Sequence, residues 1–182
     1  MSPPTIEIQI ETPRLVLTPP AECDFEAVHA MSADPEMFHY SERGPMSSDE
    51  AWARLLRHIG HWAVAGYGVF VIRDKATGRF LGESGFCEFR RGLGPRFDGR
   101  PEMTWSIVPH AQGWGCASEA AEAAQRWMDA RAPTLGQVCL VHSENRPSLR
   151  LAEKLGYRPF HRQAYKGYPA LLLSRDPIAA PS

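Results

Sequence analysis

The sequence lacks most of the features that would tie it to a membrane, a polymer or a metal. No stretch approaches the roughly 18 consecutive apolar residues of a membrane span, and the opening Met1-Ser2-Pro3-Pro4-Thr5 has neither the basic nor the apolar region of a secretory leader. A cytoplasmic protein with no membrane partner is expected. Lys and Arg number 20 against 21 Asp and Glu, a net charge of −1, and no basic run makes a local patch, so nucleic acid is not an expected partner. The four cysteines, Cys23, Cys87, Cys116 and Cys139, are scattered, with no Cys-x-x-Cys and no paired His beside them. Reduced thiols and no metal site follow. There is no internal repeat and no low-complexity segment. With 43% hydrophobic and 23% charged residues, the 182 residues suit one ordinary globular domain over 1–182, long enough to bury a core.

What the chain has is a glycine-spaced turn between two contrasting segments. Residues 103–108 are β-branched and aromatic and are closed by Pro109, as in a strand that ends there. Beyond the turn, Ala117, Ala120, Ala121, Ala124, Trp127 and Met128 recur at helical spacing. The first turn of such a helix has backbone N–H groups without partners and lies at the positive end of the macrodipole. Gly113 and Gly115 have no side chains and Ala117 and Ser118 have small ones, so a phosphate could approach the main chain closely. An anion site there needs no basic side chain. Two nucleotide motifs fail: Ser118 stands where a dinucleotide fingerprint needs its third glycine, and no Gly-x-x-x-x-Gly-Lys-[Ser/Thr] is present.

The remaining sequence supplies a scaffold. A first strand is expected over 15–18, stopped by Pro19-Pro20, and a helix over 24–33, interrupted by Asp34-Pro35. Ser48 is expected to cap a second helix with Asp49 and Glu50 in its first turn and a stripe of Trp52, Leu55, Leu56, Ile59 and Trp62. Residues 69–73 and 79–86 read as a hairpin around a turn at 74–78. A strand over 138–141, a helix over 146–154 with Pro147 near its start and Gly156 past its end, and strands over 158–165 and 169–174 complete the chain.

Gln112-x-x-Gly115-x-Ala117 resembles the Gln/Arg-x-x-Gly-x-Gly/Ala signature of the GNAT acetyltransferases. The flanks resemble that family in the same order: residues 102–109 its fourth strand, and Asn145-x-x-Ser148 with Glu153-Lys154-Leu155-Gly156-Tyr157 its last motif. Glu11-Thr12-Pro13-Arg14-Leu15-Val16-Leu17 resembles the start of the RimJ/RimL-like branch. The resemblance spans about residues 11–174. It implies an α/β (α+β) fold with a mixed, mostly antiparallel sheet of about seven strands and about four helices on both faces. It also implies an N-acetyltransferase that carries the acetyl group of acetyl-CoA, without a metal, to a primary amine on a small molecule or a peptide N-terminus, and it allows a homodimer. Gln112, Gly113, Trp114, Gly115, Cys116, Ala117 and Ser118 would wrap the diphosphate. Ile107 and Val108 would lie where the strand splays to admit the pantetheine arm, and Asn145 and Ser148 would lie against that arm.

Direct transfer needs a neutral amine, a held carbonyl and a proton for the departing thiolate. Glu102 matches a position where these enzymes often carry an acidic residue and is the expected base, with Glu83, His142 or a water relay as alternatives. The family's usual acidic tyrosine is missing, since Leu151 or Ala152 stands there. Ser148 matches a serine suggested for that role in RimL-like proteins, and Tyr157, nearby in sequence, is more suited to the core. The missing tyrosine leaves two other readings open, a noncatalytic CoA-binding module and a transferase of a longer acyl group or to a hydroxyl. Residues 87–101 carry Arg90, Arg91, Arg96 and Arg100 in a Gly- and Pro-rich connection. They form either a solvated loop or a contact to an acidic acceptor or to the donor's phosphates.

Overall fold

The computed structural model describes residues 8–41 and 44–178; the opening residues 1–5 lie outside these. The strands are β1 (Ile10–Glu11), β2 (Leu15–Thr18), β3 (Val69–Asp74), β4 (Phe80–Cys87), β5 (Glu102–Ile107), β6 (Gln137–His142), β7 (Arg158–Tyr165) and β8 (Tyr168–Arg175). They form one sheet in the order β1-β2-β3-β4-β5-β6-β8-β7, antiparallel except between β5 and β6. The sheet therefore has eight strands, the extra one being the two-residue β1, too short to carry an alternating pattern. The helices are α1 (Phe25–Ala33), α2 (Ser48–Ala65), α3 (Cys116–Arg131) and α4 (Arg146–Lys154).

The helices cover both faces, as register shows. Neighbouring residues of a strand point to opposite faces, and Ser84 of β4 is in register with Phe70 of β3, whose ring meets Trp127 of α3 at 5.3 Å. Glu83 therefore faces the other way, where Arg54 and His58 of α2 meet it. On the α3 face, Leu15, Leu17, Phe70, Ile72, Met103 and Ile107 share one core with Ala120, Ala121, Ala124 and Met128. Small alanines let α3 lie close to the sheet, which fixes its N-terminus just beyond the end of β5.

Two local expectations for α2 are corrected. The cap is Ser47, whose amide donates to the Glu50 carboxylate at 3.0 Å and whose hydroxyl donates to the Asp49 carboxylate at 2.6 Å; Ser48 is the first helical residue. The buried face is Ala51, Leu55, His58 and Trp62, whereas Leu56 is 47% exposed and Trp52 and Ile59 are only partly covered. The stripe is narrower than hydrophobicity alone suggested because a polar histidine takes a core position.

His58 has a consequence for stability. Arg54 is ion-paired with Glu83, and His58 Nδ1 lies 3.8 Å from Glu83 Oε1, yet neither His58 ring nitrogen makes a hydrogen bond. Burial, reinforced by the positive charges of Arg54 and Arg57, holds the imidazole well below the ordinary value of 6.5. The unfolded chain then binds a proton that the folded chain refuses. Stability from this group is complete above pH 6.5 and is lost as the pH falls from there toward the folded value, by at most about 1.4 kcal/mol per pH unit. Denaturant titrations at pH 7.5 and 5.5 are expected to show a loss that His58→Gln diminishes; equal losses in both proteins would contradict this.

Candidate active site

β5 runs straight into the glycine turn. After Ile107, the Val108 amide donates to the Leu81 carbonyl at 3.0 Å, and Pro109–Ala111 make one 3₁₀ turn. Gln112 Nε2 then donates to the Ile107 carbonyl at 2.9 Å, which ties the turn back to the strand. Gly113 and Gly115 follow with φ of +78° and +79°, and Gly115 caps α3. Here conformation rather than crowding calls for glycine at Gly113, since a Cβ there would meet nothing within 4 Å. The first ladder bond of α3 runs from the Glu119 amide to the Gly115 carbonyl, so the amides of Cys116, Ala117 and Ser118 have no place in that ladder. Cys116 is buried, Ala117 is partly buried, and Trp114 is 72% exposed. The Ser118 hydroxyl donates to Glu122 at 2.7 Å and accepts from Lys154 at 2.8 Å, which brings a cation from α4 beside the helix start.

On its other side β5 faces an opening. It pairs with β6 only at Glu102 and Val138, after which the two strands part. Because the Val108 N–H belongs to the β4 ladder, alternation turns the N–H groups of Ile107 and Trp105 the opposite way, toward the parting. Of the two residues singled out on this strand, Ile107 therefore presents its amide to the gap. Val108 does not: its amide is held by Leu81, and its carbonyl accepts from the Ala111 amide at 3.0 Å.

A cavity of about 230 Å³ lies in the parting, and Glu102, Trp105, His142, Asn145, Ser148 and Tyr168 line it. The Asn145 side-chain oxygen caps α4 by accepting the Ser148 amide at 3.1 Å, which leaves its NH2 group for other partners. The Ser148 hydroxyl accepts from Trp105 Nε1 at 3.2 Å. His142 stacks on Tyr168 at 5.6 Å and accepts the Glu144 amide on Nδ1 at 3.1 Å. Glu83, in contrast, lies under α2 outside this lining, and Tyr157 is wholly buried with its hydroxyl on the Gln125 side-chain oxygen at 3.0 Å. Burial pushes that phenol well above its usual range. Ala152 is wholly buried and brings no hydroxyl.

Glu102 is 3% exposed and doubly held by Arg91, with Nε to Oε2 at 2.7 Å and Nη2 to Oε1 at 2.8 Å. Arg91 Nη1 also donates to the Tyr165 hydroxyl at 3.0 Å, and its guanidinium lies 4.4 Å from the centre of the Phe89 ring. Burial raises the Glu102 carboxyl above its ordinary value, and Arg91 works against that rise. The segment 87–101 is thus packed rather than wholly solvated. Besides Arg91, Phe97 is buried with Val138 and Leu172, the Asp98 carboxylate accepts the amides of Gly92 and Gly94, and Arg96 covers Phe160 at 4.2 Å; Arg90 and Arg100 are exposed.

Reading along the chain missed Arg91, Tyr168 and Tyr40 as site components; Tyr40 also lines the cavity, its ring 5.4 Å from that of His142. In the sequence Arg91 is one of four arginines between residues 87 and 101, and no local pattern selects it. Among the described residues, no group of three His, Cys, Asp or Glu could hold a metal ion, and no helix is long and apolar enough to cross a membrane.

The chain is similar to known proteins over most of its length. The model of the acetyltransferase (GNAT) domain family matches residues 14–158. A protein described as a GnaT-family acetyltransferase from Bordetella pertussis is 36% identical, with a TM-score of 0.85 over 93% of this chain and 99% of that one. An acetyltransferase from Agrobacterium tumefaciens is 27% identical, with a TM-score of 0.74 over 96% of this chain and 95% of that one. An acetyltransferase from Salmonella typhimurium, described as modifying the N-terminal serine of ribosomal protein L7/L12, shares the fold at 15% identity, with a TM-score of 0.73 over 93% of this chain and 99% of that one. The chain belongs to the GNAT acetyltransferase family and is an acetyl-CoA-dependent acyltransferase.

Proposed function

We propose that the acceptor is a primary amine, on a small molecule or at a peptide N-terminus, and that the enzyme works as a RimJ/RimL-like N-acetyltransferase. The observation that carries this reading is the parting of β5 and β6, which joins the glycine turn at one end to a cavity holding a buried carboxylate at the other. The donor fits the residues present: two left-handed glycines leave an uncrowded row of amides at a helix start, suited to a diphosphate. When bound, acetyl-CoA supplies a thioester carbonyl to the gap.

The chain's own groups divide the work. The amides of Cys116, Ala117 and Ser118 hold the diphosphate, and the Gly113-Trp114-Gly115 turn, anchored by Gln112, gives it room. The main chain of Ile107 pairs with the pantetheine arm, the Asn145 NH2 orients it, and N–H groups facing the gap polarise the carbonyl. Glu102 takes the proton of the incoming ammonium. Arg91 occupies one lone pair on each of its oxygens and leaves the others to accept an amine N–H. Ser148 lines the gap and relays to the departing thiolate the proton that the amine nitrogen loses on acylation; that thiolate needs little help to leave. His142 and Tyr168 wall the acceptor side.

The test is a panel of amines, peptides and alcohols offered with acetyl-CoA and with longer acyl-CoA thioesters, the products being identified by mass spectrometry. N-acetylated amines formed at steady turnover are expected. Acylated alcohols alone, or a preference for a longer chain, would replace this reading.

A further inference from the structure

The segment 11–17 links β1 to β2 and runs across the start of α3. A tight turn joins Thr12 to Leu15, with the Thr12 amide on the Leu15 carbonyl and the Leu15 amide on the Thr12 hydroxyl, both at 2.9 Å. This turn presents Arg14 to the glycine turn. The Glu119 carboxylate in the first turns of α3 accepts three bonds from it: the Thr12 hydroxyl at 2.6 Å, the Arg14 amide at 2.9 Å and Arg14 Nε at 2.7 Å. Arg14 Nη1 then reaches over to donate to the Trp114 carbonyl at 2.7 Å, and Nη2 lies 3.3 Å from where a Cβ on Gly115 would be.

We infer that Arg14 is a positioning residue for the donor, a latch that holds the Trp114–Gly115 peptide in place and cancels the charge of Glu119 beside the diphosphate. A bare carboxylate that close to the Cys116–Ser118 amides would repel an anion bound there. Arg14 removes that repulsion, and its Nη2 faces the same edge of the turn. A role confined to folding does not explain the arrangement, because the Arg14 side chain is half exposed and exposed ion pairs add little to folding.

The inference rests on the placement of the diphosphate at the glycine turn, and calorimetry separates the two without any acceptor. Coenzyme A and pantetheine, which lacks the diphosphate and nucleotide, are titrated into wild type, Arg14→Gln and Arg14→Gln/Glu119→Gln. Wild type is expected to bind coenzyme A far more tightly than pantetheine. Arg14→Gln is expected to weaken coenzyme A by about tenfold and to leave pantetheine unchanged, and the double variant to recover the part of that loss due to the bare Glu119 charge but not the part due to the lost Trp114 contact. Equal weakening of both ligands, no weakening, or a double variant that recovers either nothing or everything overturns this pairing of tasks. Wild type without a preference for coenzyme A overturns the diphosphate placement and the latch with it.

Discussion

Glu102→Gln is expected to lower kcat by about 10²–10⁴-fold, the range that a positioned general base contributes, and to leave acetyl-CoA affinity close to that of wild type. The separation follows from where the carboxylate stands. Glu102 starts β5 beside the cavity, whereas the turn proposed to hold the donor lies beyond the other end of that strand. The substitution keeps the size of the side chain and one accepting oxygen for Arg91, at the loss of the second of the two bonds that Arg91 donates. Arg91 provides an independent check with a defined sign. It pulls the Glu102 carboxyl down against the rise caused by burial; without it the carboxyl rises further. With Glu102 as the proposed base, the acidic limb of kcat/KM in Arg91→Gln is expected to move to higher pH, because more of the enzyme would carry a protonated Glu102 at a given pH. Wild-type turnover in Glu102→Gln, or an acidic limb that moves to lower pH in Arg91→Gln, would show that the proton leaves by another route.

Gly82→Ala is expected to be among the most damaging single changes to the sheet, at about 3 kcal/mol or more. Gly82 has φ of +146°, and a Cβ there would stand 2.1 Å from the Ser106 carbonyl oxygen and 2.9 Å from Ile107 Cα. Neither neighbour is a side chain that could swing away. Relief requires β5 to shift at Ser106–Ile107, beside the amide that Ile107 turns to the gap. Both the fold and the donor site should suffer: a midpoint lower by about 6–12 °C, with a raised KM for acetyl-CoA in whatever protein remains folded. Gly60→Ala is the contrasting control. Gly60 lies within α2, exposed, with no positive φ and nothing within 4 Å of an added Cβ, so this change should raise stability by about 0.4–1 kcal/mol. Equal midpoints for the two variants would mean that the close approach of β4 to β5 does not constrain the sheet.

Much of the fold was legible because its signals are local. The helix over 146–154 is bounded as expected, since Asn145, Pro147 and Gly156 mark its ends. The hairpin at 69–86 and the strand-to-helix junction at the glycines likewise follow from residues that act on their own neighbours. The shift of the α2 cap from Ser48 to Ser47 is a one-residue choice between two equal caps, settled by Glu50 three residues beyond Ser47. The site was less legible because its decisive contacts join distant segments. Arg91 meets Tyr165, Trp105 meets Ser148, and Arg14 meets Glu119, at separations of 74, 43 and 105 residues. No periodicity records such pairings. The motif resemblance pointed to Glu102, Asn145 and Ser148, which line one cavity, but not to the arginine that holds Glu102 or to Tyr40 and Tyr168, which line the same cavity.

The gap between β5 and β6 is proposed to carry the thioester from the glycine turn to Glu102. A crystal structure of the protein with coenzyme A decides this. The diphosphate is expected on the amides of Cys116–Ser118, the pantetheine arm between the strands with its amides on the main chain of Ile107 and its neighbours, and the sulfur opening into the cavity of Glu102 and Ser148. A diphosphate bound away from that turn, or an arm that runs outside the gap, would contradict it.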